Sequence, residues 1–198
     1  MENISENRLE ASKRFQAVVV GVSAGGLEVL KALLASIPAS FPLAMVIVQH
    51  LHPLQDKFLI EYLDERCAIP VREADEKEPV EPSNIYFAPP NYHLLIEADK
   101  TFSLSIDAKV NYSRPSIDVL FESAAEAYGS SLIGVVLTGA SADGAAGLRR
   151  IKESGGLAIV QDPKTAEFPI MPRAALESTE VDYVLSIEEM GRFLAGIG

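Results

Sequence analysis

Cys67 is the one cysteine among 198 residues, so no disulfide can form within the chain. The sequence also lacks any apolar run near the roughly 20 residues needed to cross a bilayer. Its first stretch, MENISENRLEASKRF, is polar and has no apolar core of the kind a secretory signal requires. Together these absences predict a cytoplasmic protein with no direct membrane insertion. Positive charge is scarce as well: 17 basic residues face 28 acidic ones, a net charge of −11. That balance argues against nucleic acid or an anionic membrane as the main partner. It mildly disfavours a highly acidic substrate, unless one local basic site overrides the average. No internal repeat, low-complexity tract or linker divides the chain. With 48% apolar and 23% charged residues, the length suits one globular domain with a sizeable core.

What is present is a β/α rhythm. Residues 1–15 read as a flexible lead-in. From residue 16 to 198, strand-like runs (QAVVVGV, LAMVIVQ, SLIGVVLTG, GLAIVQ, VDYVLS) are interleaved with helical patterns (LEVLKALLAS, KFLIEYLDERC, IDVLFESAAEAYG, GAAGLRRIKESG). Alternating strands and helices predict an α/β fold, a three-layer doubly wound arrangement around a mostly parallel sheet. The middle of the chain departs from the rhythm. After the acidic, proline-punctuated EADEKEPVEPSN come NIYFAPP, HLLIEAD and TFSLSID, read as short antiparallel strands in a hairpin region at one end of the sheet.

Three segments could carry chemistry. In QAVVVGVSAGG a buried strand stops at Ser23, set among glycines, and a helical pattern starts at once. The turn places a hydroxyl at the carboxyl edge of a sheet, where open α/β folds bind ligands. The following helix offers free N–H groups and the positive end of its dipole. Gly21-Val22-Ser23-Ala24-Gly25 matches the nucleophile-elbow pattern in the strand–turn–helix context that pattern needs. The turn alone equally suits a phosphate loop or a plain tight turn. The dinucleotide fingerprint is weakened because the next strand ends in Gln49-His50 rather than an acid.

His50 lies at the end of LAMVIVQ, one β/α unit after Ser23, where an imidazole could take the serine proton and return it to a leaving group. Its bland reading is a loop-start histidine, or half of a metal pair with His52, although no carboxylate is close in sequence before Asp56. Asp143 lies in the small-residue loop LTGASADG after SLIGVVLTG. It could hold the second ring nitrogen of His50, or simply cap the helix that begins beside it. A serine, a histidine and an aspartate at the ends of three parallel strands favour a Ser–His–Asp triad, in a chain order unlike that of the α/β-hydrolases.

On these segments the sequence resembles the catalytic domain of the chemotaxis protein-glutamate methylesterases, the CheB family, from about residue 16 to the end. Gly21-Val22-Ser23-Ala24-Gly25-Gly26 is similar to the family's GASxGG-like nucleophile segment, Gln49-His50 to its histidine segment, and Leu137–Ala145 to its LTGMGxDGA-like aspartate segment. Arg114-Pro115-Ser116-Ile117-Asp118 and Met171-Pro172-Arg173-Ala174-Ala175 match two further segments, in the right order.

The resemblance implies hydrolysis of glutamyl methyl esters on the cytoplasmic region of methylated chemoreceptors, with glutamine deamidation open to the same machinery. Ser23, His50 and Asp143 would be the triad, and the N–H groups of Ala24 and Ala140 the oxyanion hole. Arg114 would contact substrate, with a surface salt bridge as its alternative. No metal or cofactor is implied. Ala24 stands where the family usually has threonine and Ala140 where it has methionine, departures that bear on rate and substrate preference. Family members often carry an N-terminal receiver domain, which fifteen residues cannot form. The expectation is therefore an excised catalytic domain or a stand-alone relative. The remaining alternatives are a catalytically silent receptor-binding relative and a phosphate-binding α/β module.

Overall fold

In a computed structural model, residues 15–50 and 56–197 are described. β1 (Ala17–Val22), β2 (Ala44–Gln49), β7 (Leu132–Val136) and β8 (Leu157–Gln161) form the middle of a seven-stranded sheet. β3 (Val71–Glu73) and β4 (Ile85–Phe87) extend one side and β9 (Tyr183–Leu185) the other. The order is β3-β4-β2-β1-β7-β8-β9, and every pair is parallel. The chain leaves β1 toward β2 and later returns to β1's other side as β7. This reversal is the topological switch point, and it opens a crevice at the carboxyl ends of β1, β2 and β7.

The four central strands are buried on both faces, and alternation sorts their side chains into two cores. Val18, Val20 and Val22 join the core beneath α1 (Gly26–Leu34) and α6 (Ile187–Ala195), with Leu30, Leu33, Met190 and Leu194. Ala17 and Val19 face the opposite core, beneath α3 (Ile117–Tyr128), α4 (Ala145–Glu153) and α5 (Ile170–Ser178), with Leu120, Phe121, Leu148, Ile151 and Met171. The α2 helix (Asp56–Asp64) adds Leu59 and Leu63 to the first core. The three predicted layers are present.

The antiparallel hairpin is β5 (His93–Ile96) with β6 (Phe102–Ser105), placed against α3 through Leu94, Ile96 and Phe102. The middle of the chain needs one correction. Ile85–Phe87, from the NIYFAPP run, is not antiparallel but lies between β2 and β3 as a parallel interior strand. Its residues are buried on both faces, Tyr86 in one core and Ile85 and Phe87 in the other. The acidic, proline-rich residues 74–84 serve as the crossover, a task usually done by a helix. Phe15, placed at the end of the lead-in, is buried in the first core. Residues 1–14 lie outside the described part.

Candidate active site

Strand register builds the site's first wall. Val22 pairs with Gln49, and the His50 N–H continues that ladder onto the Val22 carbonyl at 3.1 Å. On the other flank Gly21 pairs with Val136, and the Ser23 N–H donates to the Thr138 carbonyl at 3.0 Å. Ser23 therefore sits between the ends of β2 and β7, one strand spacing (about 4.8 Å) from each backbone.

Glycines make this possible where space runs out. A Cβ on Gly21 would lie 2.4 Å from Ile117 Cγ2; one on Gly139 would lie 1.9 Å from Met171 Sδ and 2.9 Å from Ser23 Cβ. Gly25, at φ 74°, turns the chain into α1 in a region L side chains rarely adopt. Thr138 ties the turn to the loop above it. Its hydroxyl donates to the Ala24 carbonyl at 3.0 Å and accepts the Phe168 N–H at 2.9 Å.

The second wall is polar. His50 Nε2 is 2.9 Å from Asp143 Oδ2, in a pair where the histidine side chain is 15% exposed and the aspartate's is fully buried. Among the described residues neither His50 Nδ1 nor the Ser23 hydroxyl makes a hydrogen bond.

Asp143 is the most heavily bonded side chain of the site. Oδ2 also accepts the Ile117 N–H at 2.7 Å. Oδ1 accepts the Ser116 hydroxyl at 2.8 Å, Asn111 Nδ2 at 2.9 Å and the Asp118 N–H at 3.1 Å. Burial pushes its carboxyl upward. Hydrogen bonds from His50, Asn111, Ile117 and Ser116 outweigh that and hold it below the ordinary aspartate range.

Asp143 is also a helix cap, though not of the helix that follows it. It caps α3, whose first N–H groups it accepts, while Asp118 of α3 does the same for α4. Asp118 Oδ1 takes the Gly144 and Gly147 N–H groups at the start of α4, at 3.0 and 2.7 Å. The two helices thus exchange caps, and the exchange fixes Asp143 opposite His50. Asp118 moves the other way in acidity: burial raises its carboxyl, Gly147 N–H and Asn111 lower it, and the nearby Asp143 and Glu122 charges raise it further. Sequence reading missed Asn111. It noticed the segments Leu137–Ala145 and Arg114–Asp118 but gave Thr138, Ser116 and Asp118 no task.

The other predicted positions fall as follows. Ala24 and Ala140 lie in the turns after β1 and β7, and among the described residues neither backbone N–H has a hydrogen-bond partner. Arg114 forms no ion pair among the described residues. Its Nη1 donates to the Ile106 and Asp107 carbonyls at 2.6 and 2.8 Å, which holds the loop after β6. That loop borders an open pocket of about 210 Å³ beside His50, lined also by Asn91, Lys109, Tyr112 and Arg114. His52 lies outside the described residues. Cys67 is no rival nucleophile, because burial and the Asp64 charge push its thiol up, away from the reactive thiolate.

These strand ends carry a serine turn, a part-buried His–Asp pair and, among the described residues, two backbone N–H groups without a partner, in one crevice. A model of the family described as CheB methylesterase matches residues 18–194. The chain belongs to the CheB methylesterase family. A Leptospira interrogans protein, named as a candidate protein-glutamate methylesterase/protein-glutamine glutaminase, is 56% identical over 176 residues, which cover 89% of this chain and 91% of that protein. A Paraburkholderia xenovorans protein-glutamate methylesterase/protein-glutamine glutaminase is 39% identical over 178 residues. Here 88% of this chain is covered but 49% of the relative, so the match spans about half of that protein. The crystal structure of the Thermotoga maritima CheB methylesterase catalytic domain superposes with a TM-score of 0.89 at 35% identity, covering 93% of this chain and 99% of that one. The fold predicted from sequence is the fold of this family's catalytic domain. No described helix is long and apolar enough to cross a membrane.

Proposed function

We propose that this chain is a serine hydrolase that removes methyl esters from glutamyl side chains in the cytoplasmic region of chemoreceptors, with glutamine deamidation as a second reaction of the same site. The observation that carries the reading is the hydrogen bond from half-buried His50 to buried Asp143, placed one strand spacing from the Ser23 turn. The names of the relatives supply the substrate class.

In this reading Ser23 Oγ attacks the ester carbonyl while His50 Nδ1 takes its proton. The oxyanion that forms points to the Ala24 and Ala140 N–H groups, each donor of this kind being worth about 10²–10³ in rate. Asp143 holds the other ring nitrogen and stabilises the imidazolium. The tetrahedral species collapses, the C–O bond to methoxide breaks, and His50 delivers the proton so that methanol leaves. Water then enters, His50 takes its proton, and a second tetrahedral species releases the carboxylate and returns the proton to Ser23. With a glutamine substrate the leaving group is ammonia and the rest is unchanged. The oxyanion-hole donors are backbone groups, so Ala24 and Ala140 can supply them despite the family's usual threonine and methionine. The smaller side chains leave a wider, less apolar floor for the substrate.

The test is methanol release from methylated receptor by wild type, Ser23→Ala and His50→Ala. Wild type is expected to release methanol, and the two variants to lose about 10⁵–10⁶ in kcat. Undiminished release by either variant would sink the triad assignment. No release by wild type would favour a silent receptor-binding protein.

A further inference from the structure

The loop between β6 and α3 holds a side chain whose only described partners are the two cap-exchanging aspartates. Asn111 lies on an exposed stretch at φ 50°, and Tyr112 beside it has φ 63°. The Asn111 carboxamide turns inward. Nδ2 lies 2.8 Å from Asp118 Oδ2 and 2.9 Å from Asp143 Oδ1, and both carboxylates are buried, at 7% and 1% exposure. Only the NH₂ end of an amide can face two carboxylate oxygens at once, because both oxygens are acceptors.

Holding the loop is not what this bridge is needed for. Arg114 already clasps the Ile106 and Asp107 carbonyls, and His93 Nε2 bonds the Ala108 carbonyl at 3.0 Å while its Nδ1 accepts the Ser116 N–H at 3.2 Å. What the bridge does alone is place two N–H dipoles between two neighbouring buried carboxylates. It bonds Oδ1, the oxygen of Asp143 that does not touch His50, and so limits rotation of the carboxylate that presents Oδ2 to the ring.

We propose that Asn111 is a positioning residue for the hydrolytic reaction, its carboxamide bridging Asp118 and Asp143 and so fixing the plane in which Asp143 faces His50. The inference rests on the triad reading above. The titratable groups around the bridge are His50, Asp118, Asp143 and Glu122, with His93 of β5 bonded to Ser116 beside it and Lys109 and Arg114 of the same loop lining the pocket beside His50. Asn111 acts in the same direction on both aspartates, its hydrogen bonds lowering each carboxyl.

Three variants of the full chain separate positioning from loop anchoring. Asn111→Gly keeps the left-handed backbone and removes the amide. Asn111→Asp keeps the shape and replaces donors by charge. The double variant N111D/D118N exchanges the amide and the carboxylate between the two positions. It restores the 111–118 contact while leaving Asp143 opposite a carboxylate. For each, methanol release gives kcat, KM and the pH profile. Proton NMR gives the low-field signal of the His50 ring N–H bonded to Asp143, and thermal unfolding gives Tm.

Asn111→Gly is expected to lower kcat roughly tenfold with KM unchanged, and to move the His50 signal upfield. Asn111→Asp is expected to lower kcat further and to move the acid limb up by about one pH unit, because the added negative charge favours protonation of the His50–Asp143 pair. N111D/D118N should recover Tm but not kcat. An unmoved kcat, acid limb and ring-proton signal in both single variants overturns the proposal, as does recovery of kcat together with Tm in the double variant. If wild type released no methanol the triad reading would fail. The ring-proton signal and its response to the variants would still decide whether Asn111 positions Asp143.

Discussion

The two walls of the crevice are built by different physics. On the strand side, Ser23 and His50 are placed by backbone ladders, and the Ser23 hydroxyl, with no hydrogen bond among the described residues, carries little of the fold's stability. On the helix side, Asp143 is placed by side-chain hydrogen bonds: it takes five donors, caps α3, and is enclosed by residues of a separate loop. A residue positioned by a ladder is free for chemistry, because its neighbours hold the backbone whatever the side chain is. A residue positioned by polar packing is a structural part as well, so its chemistry and its contribution to stability cannot be separated by mutation.

Comparing Ser23→Ala with Asp143→Ala gives the largest expected contrast. Loss of the serine hydroxyl should abolish methanol release and leave unfolding free energy within about 0.5 kcal/mol of wild type, since the hydroxyl has no described partner to orphan. Loss of the Asp143 carboxylate should cost about 10⁴ in rate and also about 3 kcal/mol or more of stability, because the Ile117 and Asp118 N–H groups and the Ser116 hydroxyl are left buried without an acceptor. Chemical denaturation of the two variants side by side measures it. Equal stability losses would erase the distinction between the walls.

The same difference explains what could be read from sequence. Strand, turn and helix at Ser23 are local signals: a β-branched run, glycines where backbone passes close, an amphipathic stretch. β2 and β7 announce themselves in the same way, so three strand ends and their shared edge were legible, as was the doubly wound order that follows from alternation. Ile85–Phe87 was misread because three residues are too few to show a period, and only their burial on both faces reveals an interior strand. The cap exchange was not legible for another reason. The alternative weighed for Asp143 beside its place in the triad was a cap of the helix next to it, which is the common local arrangement, whereas the partner N–H groups come from a helix 26 residues away in sequence. Asn111 gave no signal at all, since nothing local distinguishes an asparagine that serves its own turn from one that reaches across a crevice.

Acid sharpens the comparison within the polar wall. The Asp143 carboxyl is held below its ordinary value of 3.8, so it binds its proton more readily in the unfolded chain. Its contribution to stability is complete above about pH 3.8 and is lost as pH falls through the lowered folded value. Asp118 is raised, so its proton binds first in the folded state, and acidification through that raised value adds stability instead. Stability against pH should therefore fall more steeply below pH 3.8 in wild type than in Asp143→Asn, whose side chain does not titrate. Urea unfolding at a series of acid pH values checks it, and parallel curves below that point would mean that Asp143 is not held low by its donors.

Arg114 gives the smallest effect and tests which wall it serves. If its task is to clasp the Ile106 and Asp107 carbonyls, Arg114→Ala removes two hydrogen bonds from an exposed loop and should cost about 1 kcal/mol. For a chain of this length that lowers Tm by about 2–4 °C. The pocket edge beside His50 would loosen with it, raising KM modestly while kcat holds, because neither carbonyl belongs to the reacting groups. If the guanidinium instead meets the substrate directly, KM rises with no change in Tm, since a substrate contact is absent from the free enzyme. Measuring Tm and KM on the same preparation distinguishes the two. The first outcome makes Arg114 part of the polar scaffold that carries Asn111 to Asp143, and the second returns it to substrate recognition.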